Sequence, residues 1–228
     1  MKSTIGRREA QVFAYAQLRG LRVLNTGSLR VPLGFTADQE RKTLSQLSRT
    51  QMIARVWRGV YLVPPRLPLG GKWSPGEFLA LQTLMETVKA TSQICGLNAF
   101  NRYSFDEQVP NRLYAYNNRI SGIRVVGGVT LSLIKVADAR LGDIDTFKTP
   151  DGVTVVYSSR PRTLIDAVYD WSRFSGLPRA YGWIKREIAH KRVSESAIVA
   201  ATLSYGDIGT VRRIGVLVER LGVNSRLL

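Results

Sequence analysis

The sequence has little of the chemistry that metal and redox sites use. It contains one cysteine, Cys95, and one histidine, His190, in 228 residues. A disulfide needs two thiols and a structural zinc site needs four Cys or His ligands, so the chain is predicted to hold neither. We interpret Cys95 as a small buried hydrophobic residue and His190 as a residue at a helix end. We therefore expect no metal and no cofactor.

Long apolar runs and acidic residues are also scarce. No run of about 18 uncharged apolar residues occurs, and the opening MKSTIGRREAQ lacks an apolar core, so we expect neither a membrane span nor a signal peptide. A cytoplasmic protein is the resulting expectation. Only 17 residues are acidic against 33 that are basic, which gives a net charge of +16. Such an excess predicts a polyanionic partner, and nucleic acid is the best candidate.

Proline is concentrated in one place, the segment VPPRLPLGGKWSP at residues 63–75, which holds four of the nine prolines. This composition is typical of a boundary and predicts a linker at 67–75. The linker separates an N-terminal domain at 1–66 from a larger domain at 76–228. Residues 1–70 carry 12 basic and 3 acidic side chains, so the smaller domain has the higher density of positive charge.

Three helices and a hairpin are predicted in the N-terminal domain. The first helix spans 7–18, a short one spans 28–33, and the third begins at Thr36, with Gln39 at the spacing of a capping box, and ends near Arg49. The first helix is expected to bury a stripe made of Val12, Phe13, Ala16 and Leu18. The following MIARVWRGVYLV predicts two strands around Trp57 to Gly59. These are the parts of a winged helix-turn-helix domain.

One face of the third helix is rich in cations and amides. At 100° per residue, Leu44 and Leu47 point inward, and four side chains lie opposite them: Lys42, Ser45, Gln46 and Arg49. Lys, Arg and Gln match base edges in the major groove, and the capped start at Thr36 offers backbone amides to phosphate. The alternative is an ordinary solvated helix face.

The hairpin carries Arg55 and Arg58 beside the turn glycine Gly59. Arginines at such a tip reach phosphate or a narrow minor groove, so we predict that they anchor the hairpin on DNA. The alternative is that they only keep the turn soluble.

The rest of the chain is predicted to be α+β, with a mixed or antiparallel sheet followed by helices. A helix at 76–90 precedes β-like runs at 112–116, 123–126, 129–136 and 153–157. From Pro161 the pattern is helical to the end. Strands followed by helices favour the α+β class.

The order of these segments resembles the AbiEi family of type IV antitoxins and transcriptional autorepressors. The resemblance rests on the succession of LSQLSRTQMIARVWRGVYLVPP, CGLNAFNRYSFDEQVPNRLYAY, SSRPRTLIDAVYD and RRIGVLVERLGV. It implies a winged helix that binds the operator of its own operon on double-stranded DNA, in the nucleoid. It also implies a C-terminal domain that counteracts a nucleotidyltransferase toxin, through the toxin or its RNA substrate.

Within SSRPRTLIDAVYD, the resemblance assigns Arg160 and Arg162 to an antitoxic surface. The alternative is structural: a serine-capped helix whose Leu164, Ile165 and Val168 fill the core, with Arg162 and Asp166 one turn apart. Three basic pairs also have two interpretations. Each pair either binds RNA or an acidic face of the toxin, or is simply solvated surface. They are Lys185/Arg186, Lys191/Arg192 and Arg212/Arg213.

An enzyme is the rival hypothesis. Gly127-Gly128 followed by Asp143 and Asp145 resembles the glycine pair and metal-binding carboxylates of magnesium-dependent nucleotidyltransferases. The match is poor, because the intervening VTLSLIKV predicts a strand and the Asp-Ile-Asp segment predicts a loop. Pro150-Asp151 matches the start of a restriction-nuclease signature, but the acidic-x-Lys part of that signature does not follow on a neighbouring strand. We therefore expect a binding protein without catalytic residues.

Overall fold

The computed structural model describes residues 5–67 and 71–221. These residues form a mixed α+β fold, which confirms the predicted class. Their internal contacts divide them into two compact units. Unit 1 comprises the described residues of Met1–Ala90 together with Ile123–Leu131, and unit 2 comprises those of Thr91–Gly122 and Ser132–Leu228.

Unit 1 begins with three helices and a small antiparallel sheet. The elements are α1 (Arg7–Leu18), β1 (Val23–Asn25), α2 (Arg30–Leu33), α3 (Ala37–Arg49), β2 (Ala54–Trp57), β3 (Val60–Leu62) and α4 (Glu77–Val88). The strand order is β1-β3-β2, with β3 antiparallel to both neighbours. The helices and the hairpin therefore lie close to their predicted positions, and β1 is an additional strand.

The core of unit 1 is formed where α1, α3 and the sheet meet. Its buried side chains are Val12, Phe13, Ala16, Leu24, Leu29, Phe35, Leu44, Leu47, Met52, Ile53 and Val63. The inward assignment of Leu44 and Leu47 is thus confirmed. That of Leu18 is wrong, because α1 ends there and leaves the side chain 85% exposed.

The division into units differs from the predicted boundary at 67–75. Helix α4 contacts β2, and the hydroxyl of Ser74 accepts a hydrogen bond of 2.8 Å from the amide of Gly128. Residues on both sides of the proline-rich segment are thereby joined in one unit. Residues 68–70 of that segment lie outside the described part of the chain.

The remaining described residues supply six strands and six α-helices, five of which follow the last strand. The strands are β4 (Ser92–Ile94), β5 (Leu113–Asn117), β6 (Gly122–Val126), β7 (Val129–Lys135), β8 (Ile144–Lys148) and β9 (Thr154–Ser158). The helices are α5 (Gly96–Arg102), α6 (Arg160–Tyr169), α7 (Trp171–Phe174), α8 (Arg179–Ala189), α9 (Glu195–Tyr205) and α10 (Ile208–Arg220), with a 3-10 turn at Asp138–Arg140. The sheet order is β6-β7-β5-β4-β9-β8, and since β4 pairs parallel with β9 and antiparallel with β5, the sheet is mixed.

The Asp-Ile-Asp segment is a loop, as the sequence predicts, only at Asp143, which precedes β8, and not at Asp145. Ile144 begins β8, and Asp145 pairs with Tyr157 in the antiparallel ladder between β8 and β9. The prediction fails because β8 is an edge strand whose residues are mostly exposed, so it shows no apolar alternation.

Helix α6 is central to unit 2 and contacts α5, α7, α8, α9 and α10. Ser159 caps it by accepting a hydrogen bond from the amide of Arg162, and Leu164, Ile165 and Val168 are completely buried. The predicted serine cap and apolar face are therefore confirmed.

Candidate nucleic-acid interface

The start of α3 is fixed by a reciprocal pair of hydrogen bonds. The Thr36 hydroxyl accepts from the Gln39 amide at 3.2 Å, and the Gln39 side chain accepts from the Thr36 amide at 3.0 Å. This is the capping box that the sequence predicts. It sets where the helix begins and hence which residues share its outer face.

The four predicted contact residues of α3 do lie on one outward face. Lys42, Ser45 and Arg49 are exposed and Gln46 is half-buried, while Leu44 and Leu47 are completely buried on the other side. The Arg49 guanidinium donates a hydrogen bond to the side-chain oxygen of Gln46. This bond occupies the Gln46 oxygen, so what the Gln46 side chain can still offer a partner is its two N–H donors.

Glu40 is a residue of this site that the sequence analysis missed. Its side chain is completely buried, and one carboxylate oxygen accepts from the amides of Gly27 at 2.8 Å and Leu29 at 3.0 Å. The other oxygen pairs with Arg30 at 3.1 Å. One carboxylate thus ties the loop before α2 to α3 and fixes the angle at which α3 presents its face. A glutamate among polar helix residues gives no periodic signal of burial.

The hairpin places Arg55 and Arg58 in solvent, as predicted. Arg58 lies in the two-residue turn, and the Arg55 side chain donates to the carbonyl of Trp57 at 3.3 Å. The turn is held by Thr26, whose amide donates to the Gly59 carbonyl at 2.8 Å. Gly59 adopts φ of +78°, a conformation that side chains rarely allow.

Two further groups of cations in unit 1 were not predicted. Arg7 and Arg8 line, together with Lys42 and Gln46, a depression of about 680 Å³ between α1 and α3. On β6, the Arg124 guanidinium lies 5.8 Å from the centre of the Trp57 ring, over the hairpin. Their distance along the chain from α3 hid this proximity.

Arg162 is not part of a surface, so its assignment to an antitoxic face is wrong. Its side chain is completely buried, and Nε donates to Asp166 at 2.9 Å, while Nη2 donates to the Arg140 carbonyl at 2.8 Å. The rings of Tyr205 and Tyr169 lie 3.8 Å from the guanidinium carbons of Arg162 and Arg140, respectively. Burial raises the pKa of Asp166, against the opposing effect of these two arginines.

Arg160 is largely occupied by an internal ion pair. It donates to Glu187 at 2.7 Å, and its side chain is 29% exposed. Burial by itself would raise the pKa of Glu187, but hydrogen bonds from Arg192 and Arg160 hold that pKa below its ordinary value of 4.5. Both arginines of SSRPRTLIDAVYD therefore stabilise the interior of unit 2.

The two carboxylates of the rival enzyme hypothesis stand at the start of β8. Asp143 precedes the strand, and Asp145 lies in it, where one of its oxygens is 2.7 Å from the Tyr103 hydroxyl. Burial, followed by this contact, raises the pKa of Tyr103. Among residues 5–67 and 71–221, no group of three or more His, Cys, Asp or Glu side chains is placed to hold a metal ion.

The lone histidine and cysteine have the structural positions expected for them. His190 ends α8, with its ring Nδ1 2.7 Å from the Arg186 carbonyl. Cys95 is completely buried before α5, and burial raises the pKa of its thiol well above the ordinary value. The described helices include none that is long and apolar enough to cross a membrane.

Comparison with known proteins gives a likeness of fold. No protein-family model matches the chain, and no curated protein matches it. Among solved structures, the chain is similar to the RV2827C protein from Mycobacterium tuberculosis, with a TM-score of 0.59 and 15% sequence identity. The match covers 96% of this chain and 79% of that one.

Proposed function

We propose that unit 1 contains a winged helix-turn-helix module that binds double-stranded DNA. The order α1-β1-α2-α3-β2-β3, with a three-stranded antiparallel sheet, supports this assignment. In such modules the helix equivalent to α3 enters the major groove and the hairpin contacts the flanking backbone.

The observation that carries the proposal is the outer face of α3. Lys42, Ser45, Gln46 and Arg49 are presented together, and Arg55 and Arg58 are exposed on the hairpin of the same unit. The Thr36 cap takes up the Gln39 amide, so the amides that remain to meet a phosphate at the start of α3 are those of Ala37 and Asp38. Major-groove readout needs this combination of cationic and amide donors.

The test uses the full chain and the DNA upstream of its own gene. We expect fluorescence anisotropy to show tighter binding to this DNA than to an unrelated duplex of equal length. The double substitution Lys42→Glu/Arg49→Glu should abolish the binding, whereas Lys148→Glu, an exposed change on β8, should not. Equal loss in both variants, or no binding by the wild-type chain, would refute the proposal.

We further propose that the protein is the autorepressor and antitoxin of a type IV toxin-antitoxin system, acting by binding in the nucleoid rather than by catalysis. This rests on the order of sequence segments, from the hairpin to RTLID and RRIGVLVERLGV. Co-expression with a neighbouring nucleotidyltransferase-like gene tests it: growth should be rescued by the wild-type chain. Failure to rescue, with the protein folded and expressed, would refute the antitoxin role and leave the DNA-binding role standing.

A further inference from the structure

A groove in unit 2 combines an apolar floor with basic walls. It has a volume of about 430 Å³ and is bordered by α8 and α10. Its lining residues are Tyr181, Lys185, Arg212, Arg213, Val216, Leu217 and Arg220. Three arginines, one lysine and no carboxylate are thus among the described residues that line it.

The cations of this groove differ from the other arginines on α8. On another side of α8, Arg179 pairs with Asp106 at 2.6 Å and Arg186 donates to the Ser104 carbonyl at 3.3 Å. In the groove, none of the described residues forms an ion pair with Lys185, Arg212 or Arg220. Asp207 lies near Arg213, which helps to hold the pKa of Asp207 low after the larger effect of its hydrogen bonds from Thr210. The groove therefore keeps an uncompensated positive charge.

The floor of the groove favours contact with an apolar side chain. Among the lining residues, Val216 is 51% exposed, Leu217 is buried, and Tyr181 on α8 is half-buried. Covering an exposed aliphatic surface with apolar groups lowers the free energy. A sugar-phosphate backbone supplies few such groups. A floor of this kind favours a protein segment over a nucleic acid.

The dimensions and the charges fit a helix. Arg212 and Arg220 are eight residues apart on α10, which is about 12 Å, or a little over two turns of a helix. The cations stand on both walls, with Lys185 on α8 and the arginines on α10. An amphipathic helix places acidic residues on both flanks of its apolar stripe, whereas a single nucleic-acid strand presents one line of phosphates.

We propose that the α8/α10 groove binds an acidic amphipathic helix of a partner protein. The apolar stripe of that helix covers Val216, and its carboxylates pair with Lys185, Arg212 and Arg220. The residues after Leu221 have no acidic member, so charge does not favour them as occupants. This site is separate from the surface of α3 and does not depend on DNA binding.

The test uses a labelled 18-residue helical peptide with leucines at i, i+3, i+4 and i+7 and glutamates on both flanks. We expect the full chain to bind it, and Arg212→Glu/Arg220→Glu and Val216→Asp each to weaken binding at least tenfold. Lys148→Glu is the matched control and should leave binding unchanged. Circular dichroism checks the fold of each variant. In addition, raising the salt concentration should weaken peptide binding to the wild-type chain.

Two results would overturn the proposal. A peptide of the same composition with the leucines scrambled should bind at least tenfold more weakly. Equal binding would show that the apolar floor of the groove does not contribute to recognition. A 20-nucleotide single-stranded RNA should not compete. If the RNA binds, the peptide does not, and the groove variants lose only RNA binding, the groove is a nucleic-acid site. Duplex DNA binding should persist in all groove variants, which separates this result from a failure of the α3 interface.

Discussion

Two arginines of unit 1 and two of unit 2 serve opposite purposes. In unit 1, Arg49 and Arg58 are exposed and contact no carboxylate of the described residues. In unit 2, Arg162 is completely buried and bonded to Asp166, and Arg160 is bonded to Glu187. The first arrangement leaves charge available for an external polyanion, and the second uses it inside unit 2, within α6 and between α6 and α8.

The difference shows which local signal separates the two uses. Asp166 stands four residues after Arg162 on the same helix, the spacing at which side chains meet. No acidic residue stands within one turn of Arg49. A basic residue in an apolar helix with an acidic residue one turn away therefore predicts an internal ion pair. The sequence RTLID already contains this pattern.

The largest effect is expected from breaking the internal pair. Asp166→Ala would leave the buried Arg162 and the partly buried Arg140 without their carboxylate, so we expect the free energy of unfolding to fall by about 3–5 kcal/mol. Urea denaturation followed by tryptophan fluorescence measures it. Asp38→Ala, which removes the exposed pair with Arg41, is the control and should cost less than about 1 kcal/mol. Equal losses would mean that burial does not distinguish the two pairs.

In unit 1 the largest effect is expected at the buried carboxylate of Glu40. Glu40→Ala leaves the amides of Gly27 and Leu29 without their acceptor, and each buried unsatisfied amide costs about 1–3 kcal/mol. We expect reduced stability and weaker DNA binding together. Glu40→Gln keeps an acceptor oxygen and should recover most of both. If Glu40→Ala weakens DNA binding with no loss of stability, Glu40 is not the tie between α2 and α3.

Asp166 and Glu40 illustrate which features of the structure could be predicted from the sequence and which could not. The bounds of α3, its cap and the burial of Leu44 and Leu47 follow from local spacing, so they were predictable. Glu40 was not, because its partners are backbone amides in a loop more than ten residues earlier. The outer face of α3 was predictable from the helical spacing. That Arg7, Arg8 and Arg124 belong to the same unit was not, because it depends on long-range packing.

The next effect concerns specificity at the α3 face. Gln46→Ala and Arg49→Ala should each weaken binding to the preferred DNA by about 1–3 kcal/mol and weaken binding to random duplex much less. Because Arg49 donates to Gln46, the double variant should lose less than the sum of the two single losses. Anisotropy titrations on both duplexes measure this. Strict additivity would show that the two side chains act independently on DNA.

A smaller effect, of a different kind, is expected at the hairpin. Arg58→Ala should weaken binding to preferred and random DNA alike, since a contact to phosphate carries no sequence information. The slope of log K against log salt should become shallower by about 0.9, the loss of one phosphate contact. If Arg58→Ala instead erases sequence preference while Gln46→Ala and Arg49→Ala retain it, the hairpin reads the sequence and α3 does not.

The smallest effect returns to the internal pairs and to their dependence on pH. The pKa of Glu187 is lower in the folded protein than its ordinary value of 4.5, so its pairs with Arg160 and Arg192 stabilise the fold above that value. This stabilisation should disappear as pH falls through 4.5 toward the folded pKa, because protonation then favours the unfolded chain. Glu187→Gln should be less stable at pH 7 yet lose less stability than the wild-type chain between pH 6 and pH 3. Glu219→Gln, an exposed change on α10, should follow the wild-type profile. Parallel profiles for wild type and Glu187→Gln would show that the ionised form of Glu187 gives the fold no advantage.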